Sequence, residues 1–301
     1  MCTKIKIGCL KSSWILVSDE DAADYLQSQF SNDLRGLEPG SFAYGFWLSR
    51  KGKVEADSYV FKQADGFILY SPHCEEAPLI EKLEANIIAD EVVLEGTADT
   101  LACLTLIGKD YPNFLEKLNL KAPQGNQVIT QGGYTALSIP RSKEPSCELL
   151  FPKAQRPAIE ALLKDFPHQE LSDTALEDER ITSLIPKIPQ DIGPNDFPQE
   201  AGLDTGNVSY NKGCYLGQEV MQRLHNIGGL QRKLFALKLE SPAPALPAPL
   251  YKGEKQVGEL RSQSSDHKIG LGLIKYKLVE AQDTLSFTPS STPHVQLQAS
   301  L

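Results

Sequence analysis

The stretch Val208-Ser209-Tyr210-Asn211-Lys212-Gly213-Cys214-Tyr215-Leu216-Gly217-Gln218-Glu219-Val220-Met221-Gln222-Arg223-Leu224-His225 decides how this chain is read. Its front reads as a strand end and its middle as a loop bracketed by Gly213 and Gly217. Its back spaces Val220, Met221 and Leu224 along one apolar helix face. The expectation is a strand-to-helix corner carrying Cys214. There the positive end of the helix dipole and nearby Lys212 favour thiolate over thiol, and the glycines let the backbone turn sharply and approach a ligand closely. The plainer alternative is a buried cysteine that packs as a small apolar group.

Upstream, the hydrophobic pattern predicts a strand at 13–18, a helix with Ala23, Leu26 and Phe30 on one face, and strands at 42–48 and 54–61. Along 54–61, Val54, Ala56, Ser58 and Val60 alternate with Glu55, Asp57, Tyr59 and Phe61, leaving both faces mixed as beside a cleft or a sheet interface. A strand at 67–70, a helix around 79–87 and a strand at 91–94 complete a β-α-β-β-β-α-β order. A similar rhythm recurs from 100 to 163. A short helix at 174–180 precedes a proline-punctuated segment to residue 200, of the irregular kind that lines a site or crosses a surface. Beyond the motif come strands at 232–239, 256–261, 268–274 and 284–288, which suggest a small antiparallel barrel or sandwich. The run 241–249 reads as an extended, polyproline-like loop or linker.

A net charge of -9 and a pI near 5.2 argue against a protein that holds nucleic acid by neutralising many phosphates. The six cysteines (Cys2, Cys9, Cys74, Cys103, Cys147, Cys214) show no Cys-x-x-Cys or His-paired spacing, so no local zinc or iron–sulfur site is expected. The start, Met1-Cys2-Thr3-Lys4-Ile5-Lys6, is too short and mixed for a secretory signal, and no apolar run has the length of a membrane span. A reducing cytoplasmic location is the expectation.

The run Lys212-Gly213-Cys214-Tyr215-Leu216-Gly217-Gln218-Glu219, followed by Arg223, resembles the signature of the YgfZ branch of the folate-binding, GcvT-like T-protein superfamily. The resemblance implies an α+β fold of two ferredoxin-like units around a central folate cleft, followed by a C-terminal antiparallel β-barrel. The expected divisions are 1–98, 99–230 with the Cys214 loop, and 231–301. It further implies a factor that binds tetrahydrofolate or a related folate and assists assembly or repair of iron–sulfur proteins, and thereby tRNA modification. Cys214, with Lys212 beside it, would act at the cleft rim. The implied partners are folate and iron–sulfur client or assembly proteins, with no direct nucleic acid and no membrane.

The stretch 25–33 looks like the family's Leu-Gln-x-Gln-x-Thr-x-Asp helix end, which makes Gln29 and Asp33 candidates to face a folate. Asp57 is the one acid left where the aminomethyltransferase branch has an Asp-Asp pair, since Ala56 holds the other place. Residues 70–76 lack that branch's Asn and Lys-Asp, groups a transferase needs to position an amine and move protons. The stretch 197–203 looks like the family's Leu-Pro-x-Glu-x-x-Leu and 231–234 like its Arg-Lys-x-Leu. By this resemblance Glu200, Tyr215, Gln218, Glu219, Arg223, Arg232 and Lys233 are candidate folate contacts, and the cations suit the carboxylates of a folate tail. Leu184 stands where the branch carries glycine ahead of the irregular segment, a change expected to narrow the pocket. The alternatives are a tetrahydrofolate-dependent aminomethyltransferase of the glycine-cleavage type and a non-catalytic scaffold with a vestigial cleft. A hydrolase-type cysteine enzyme is weaker, because His225, eleven residues on and beyond a helix, is the only nearby His.

Overall fold

The computed structural model describes residues 4–10, 12–63 and 66–301; Cys2 and the opening Met1-Cys2-Thr3 lie outside them. The chain forms two compact units. The first runs to Trp47 and adds Ala56–Leu176 and Asn207–Leu216, while the second takes Leu48–Glu55, Glu177–Gly206 and Gly217–Leu301.

In the first unit, β1 (Ile5–Gly8) is followed by β2 (Ser13–Ser18), α1 (Ala22–Gln29), β3 (Phe42–Leu48), β4 (Val54–Gln63), β5 (Gly66–Ser71), α2 (Glu76–Glu84) and β6 (Val93–Gly96). The rhythm then repeats as β7 (Leu101–Ile107), α3 (Tyr111–Glu116), β8 (Val128–Gln131), β9 (Tyr134–Leu137), β10 (Ser146–Pro152), α4 (Arg156–Asp165) and β11 (His168–Glu170). One sheet has the order β3-β4-β5-β2-β6 and the other β8-β9-β10-β7-β1-β11. With β1 set aside, the two orders are the same, so the second half repeats the topology of the first. β1 enters between β7 and β11, antiparallel to one and parallel to the other. The sequence pattern missed both β1 and β11. β1 alternates over only Ile5, Lys6 and Ile7, too short a run to read as a strand, and β11 is polar throughout; each exists because a neighbour supplies its ladder.

Each sheet is covered on one side by its helices. Tyr25 and Leu26 of α1 and Leu79 and Leu83 of α2 pack with Ile15, Ala56 and Val60. Phe114 of α3 and Ile159 of α4 pack with Leu104, Leu149 and Phe151. A third core joins the two sheets, where Trp14, Tyr59, Phe61 and Tyr70 meet Val128, Leu137, Ile139 and Leu150. The mixed alternation of β4 therefore marks a strand buried on both faces, one toward helices and one toward a sheet. The edges of β3 and β8 meet through Phe42 N to Asn126 O and Val128 N to Gly40 O, both 2.8 Å.

In the second unit α5 (Asp173–Thr182), which begins in the first, leads into an irregular segment. A further helix, α6 (Gln218–Ile227), precedes six strands: β12 (Lys233–Leu239), β13 (Ala248–Lys252), β14 (Lys255–Gln263), β15 (Ile269–Ile274), β16 (Thr284–Leu285) and β17 (Val295–Ser300). These run β13-β14-β15-β12-β17-β16, all antiparallel. Reciprocal bonds between Tyr251 and Ser286 bring the outer strands together and nearly close a barrel around Leu237, Leu250, Leu260 and Leu297. The proline run ends inside β13, where Pro249 is tolerated because, among the described residues, β13 pairs along the sheet with β14 alone. The segment after α5 is held by Arg180, which is 4% exposed. Its guanidinium donates to Ile185 O at 2.6 Å, Asp191 Oδ2 at 2.7 Å and Ser262 Oγ on β14 at 3.1 Å. No helix among the described residues is long and apolar enough to cross a membrane.

Candidate functional site

The Cys214 loop differs from its expected form. No strand precedes it; residues 207–217 are bends and turns. Instead of a ladder, the end of α1 supplies the partners: Ser209 N donates to Ser31 O, Leu216 N to Ser28 O, and Ser31 Oγ to Asn207 O. Lys212 completes the attachment. The residue is 9% exposed, and its ammonium donates to Phe30 O and Asn32 O at 2.7 Å each and lies 5.0 Å above the Tyr215 ring. Burial pulls the pKa of this ammonium down to about 8, against the pull of Asp33. Cys214 is exposed and in no disulfide, so the buried-thiol alternative fails. Tyr215 beside it is buried, and among the described residues its hydroxyl has no hydrogen-bond partner.

From this loop a run of hydrogen bonds leads to β3 and β4 of the same unit. Lys212 donates to Asn32 O, Asn32 Nδ2 donates to Tyr44 O at 2.8 Å, and Tyr44 Oη donates to Asp57 Oδ2 at 2.8 Å. Asp57 is almost wholly buried, and burial pushes its carboxyl up to about 6, opposed by the Tyr44 hydrogen bond and the charge of Arg141. The Cys74 thiol stands 4.0 Å from Asp57 Oδ1; burial, reinforced by that carboxylate, drives it up to about 11 and keeps it protonated. Deeper between the sheets, Arg141 pairs with fully buried Glu148 at 2.5 Å and donates to Tyr70 Oη at 2.6 Å. Thr105 and Cys103 also donate to Glu148, and Trp14 stacks on Tyr70 at 4.0 Å.

Among the sequence candidates, Gln29 is half-buried and donates to Ser28 Oγ, while Asp33 is exposed. The Arg35 backbone amide and the Gln27 amide, both donating to Asp33, hold its carboxyl below the usual range. Gln29, Asp33, Lys212, Cys214, Tyr215 and Asp57 all belong to the first unit. The remaining candidates belong to the second. Glu200 accepts two bonds from Arg232, at 2.9 and 3.0 Å, and one from Phe197 N. Arg232 also pairs with buried Asp196. The Lys233 ammonium lies 5.2 Å above the Tyr276 ring. Gln218 and Glu219 begin α6, whose far side exposes Arg223 and His225. That helix is held through Met221, over which Gly52 fits without a side chain. Among the described residues no group of three or more His, Cys, Asp or Glu is placed to hold a metal ion.

Sequence reasoning missed Asn32, Tyr44, Arg141 and Glu148. The alternation Phe42, Tyr44, Phe46 was a readable signal for Tyr44, since it puts a phenol among core rings. Arg141 and Glu148 carried none, because their pairing depends on two sheets meeting.

Leu184 lies in the turn that ends α5, at φ +61°, with its amide donating to Ile181 O. Left-handed backbone at a helix C-terminus is the ordinary place for glycine, so a glycine at this position has a backbone reason that needs no ligand.

A family model described as GCVT N-terminal domain matches residues 11–210, about two thirds of the chain, and the chain belongs to that family. Within it, the chain is 26% identical over 253 residues to the tRNA-modifying protein YgfZ of Colwellia psychrerythraea, covering 84% of this chain and 76% of that one. It is 29% identical over 248 residues to the protein of the same name from Vibrio vulnificus, covering 81% and 73%. It is 25% identical over 245 residues to a mitochondrial iron-sulfur cluster assembly factor IBA57 homolog of Cryptococcus neoformans, covering 74% and 63%. The solved aminomethyltransferase T of the glycine cleavage system from Bartonella henselae superposes with a TM-score of 0.85 over 98% of this chain and 85% of that one, at 17% identity, a likeness of fold.

Proposed function

We propose that this protein is a folate-binding accessory factor in assembly or repair of iron–sulfur proteins and, through such enzymes, in tRNA modification. The observation that carries the reading is Cys214, exposed on a loop that Lys212 pins to the end of α1 through two backbone carbonyls. An exposed thiol on a held loop suits brief ligation of iron or transfer of sulfur. One thiol cannot complete a cluster, so a protein partner supplies the other ligands. The names of the YgfZ and IBA57 relatives support this direction. In this reading the two repeated α/β layers are ferredoxin-like units, with divisions near residues 98 and 230, and the protein works in a reducing cytoplasm.

A pterin asks for a carboxyl group at its aminopyrimidine edge and aromatic surface for its ring. Asp57 with Tyr44 and Tyr59 offers both residue types. A bound tetrahydrofolate would carry a one-carbon unit; Asp57 and Tyr44 would hold and orient its pterin. Two experiments test the reading. Cys214→Ser is expected to keep fold and folate affinity but to lose rescue of a strain lacking this factor; full rescue sinks the thiol's role. Thermal unfolding with tetrahydrofolate or its 5-formyl form should show a saturable rise, about 2.7 kcal/mol at a hundredfold excess over Kd. No rise would favour the scaffold reading, and turnover of an aminomethyl donor would favour the transferase.

A further inference from the structure

The charge of this chain is unevenly placed. Residues 19–24 and 75–95 hold eleven carboxylates and one cation, Lys82, a net of -10 against -9 for the whole chain. The fold gathers both stretches on one side of the first unit, where α1 and α2 cover the same sheet and Tyr25 Oη donates to Leu83 O at 2.6 Å. The connection from α2 to β6 is fixed rather than loose: Asp21 N donates to Glu91 O at 3.1 Å and Glu91 N to Asp21 Oδ2 at 2.8 Å. On this fixed connection Ile88 is 93% exposed, and Val93, which opens β6, is 48% exposed. β6 is an outer strand, and among the described residues no strand pairs with its free side. Lys62, on β4, lies two strands inward from β2 along the ladder.

We infer that the β6 edge, with Ile88 and Val93, is a docking surface for a protein partner that presents an extended segment of alternating basic and apolar side chains. The apolar pair and the open strand edge ask for a chain that can add main-chain hydrogen bonds and cover two side chains. The surrounding carboxylates decide which chain. They repel nucleic acid and a second copy of this protein, and they attract a cationic segment. The inference uses neither Cys214 nor a folate, so its failure and theirs are separable.

The test measures fluorescence anisotropy of a labelled peptide alternating Lys and Val, at physiological ionic strength, against the full protein. Saturable binding is expected, weakened about tenfold by Ile88→Ser combined with Val93→Ser, because those apolar contacts are lost. Glu116→Gln and Glu240→Gln, exposed acids elsewhere, should leave it unchanged. A peptide with Pro in place of Val, equal in charge but unable to extend a ladder, should bind at least tenfold more weakly. Absent binding would overturn the proposal outright, and equal affinity for the two peptides, or no effect of the Ile88 and Val93 changes, would overturn it in favour of diffuse charge attraction. Self-association abolished by the same two changes would overturn it in favour of a second copy.

Discussion

Leu184 holds a left-handed backbone that costs a side-chain-bearing residue roughly 1–2 kcal/mol. Leu184→Ala and Leu184→Gly both remove the half-buried side chain, but only the second removes Cβ. Chemical denaturation should therefore find the glycine variant more stable than the alanine variant by about 1 kcal/mol. Asp57 behaves differently, through its proton. Its folded pKa of about 6 lies above the unfolded value, so between the two the folded state binds the proton and the unfolded state does not. This group's contribution to stability thus rises as pH falls from 7 toward 4. Asp57→Asn should lose that dependence, and the difference between wild-type and variant denaturation curves should change across this window by on the order of 2–3 kcal/mol. Matching slopes would refute the assignment. Asp57 was legible as a candidate; its phenol partner and its burial came from β3 lying beside β4.

At the scale of elements, two attachments fix the motif. The loop 207–216 hangs on α1 through Lys212, and Lys212→Met leaves two inward carbonyls without their donor. The expected cost is about 1–3 kcal/mol, with faster exchange at the amides of Ser209 and Leu216, read by hydrogen exchange. Helix α6 is seated separately in the second unit. Gly217 has φ +85°, and a Cβ there would lie 2.7 Å from Ser49 O. Gly217→Ala should destabilise by roughly 2 kcal/mol or more and raise exchange in the first turn of α6. The spacing of Val220, Met221 and Leu224 foretold the helix. It could not foretell that the preceding residues would form turns instead of a strand, because Val208-Ser209-Tyr210 reads as strand until the end of α1 takes its hydrogen bonds.

At the scale of the whole chain, the first unit depends on a charged pair where its two sheets meet. Glu148 is fully buried, and Arg141 is its counter-ion. Arg141→Met should cost about 3–5 kcal/mol because it strands a buried carboxylate, whereas Arg141→Met with Glu148→Leu should recover most of that loss. Equal losses in the single and double variants would show that packing, not charge, sets the cost. The β-α-β-β-β-α order common to both halves was legible because each half keeps its own hydrophobic period, whereas β11, which closes the second half, was not. The insertion of β1 beside β7 was not, since its pairing spans about a hundred residues and leaves no local trace.

The sequence by itself determined the alternation of strands and helices, the C-terminal barrel strands with the longest apolar patterns, and the motif that sets Cys214 between two glycines. These are local properties, written in side-chain period and turn chemistry. Only the tertiary structure decided that Cys214 stands exposed, that Lys212 is taken up by carbonyls, that Asp57 lies beneath Tyr44, and that Glu200 is held by Arg232. Each of these depends on which distant backbone or charge arrives alongside, and desolvation and hydrogen-bond satisfaction are settled by neighbours in space, not by neighbours along the chain.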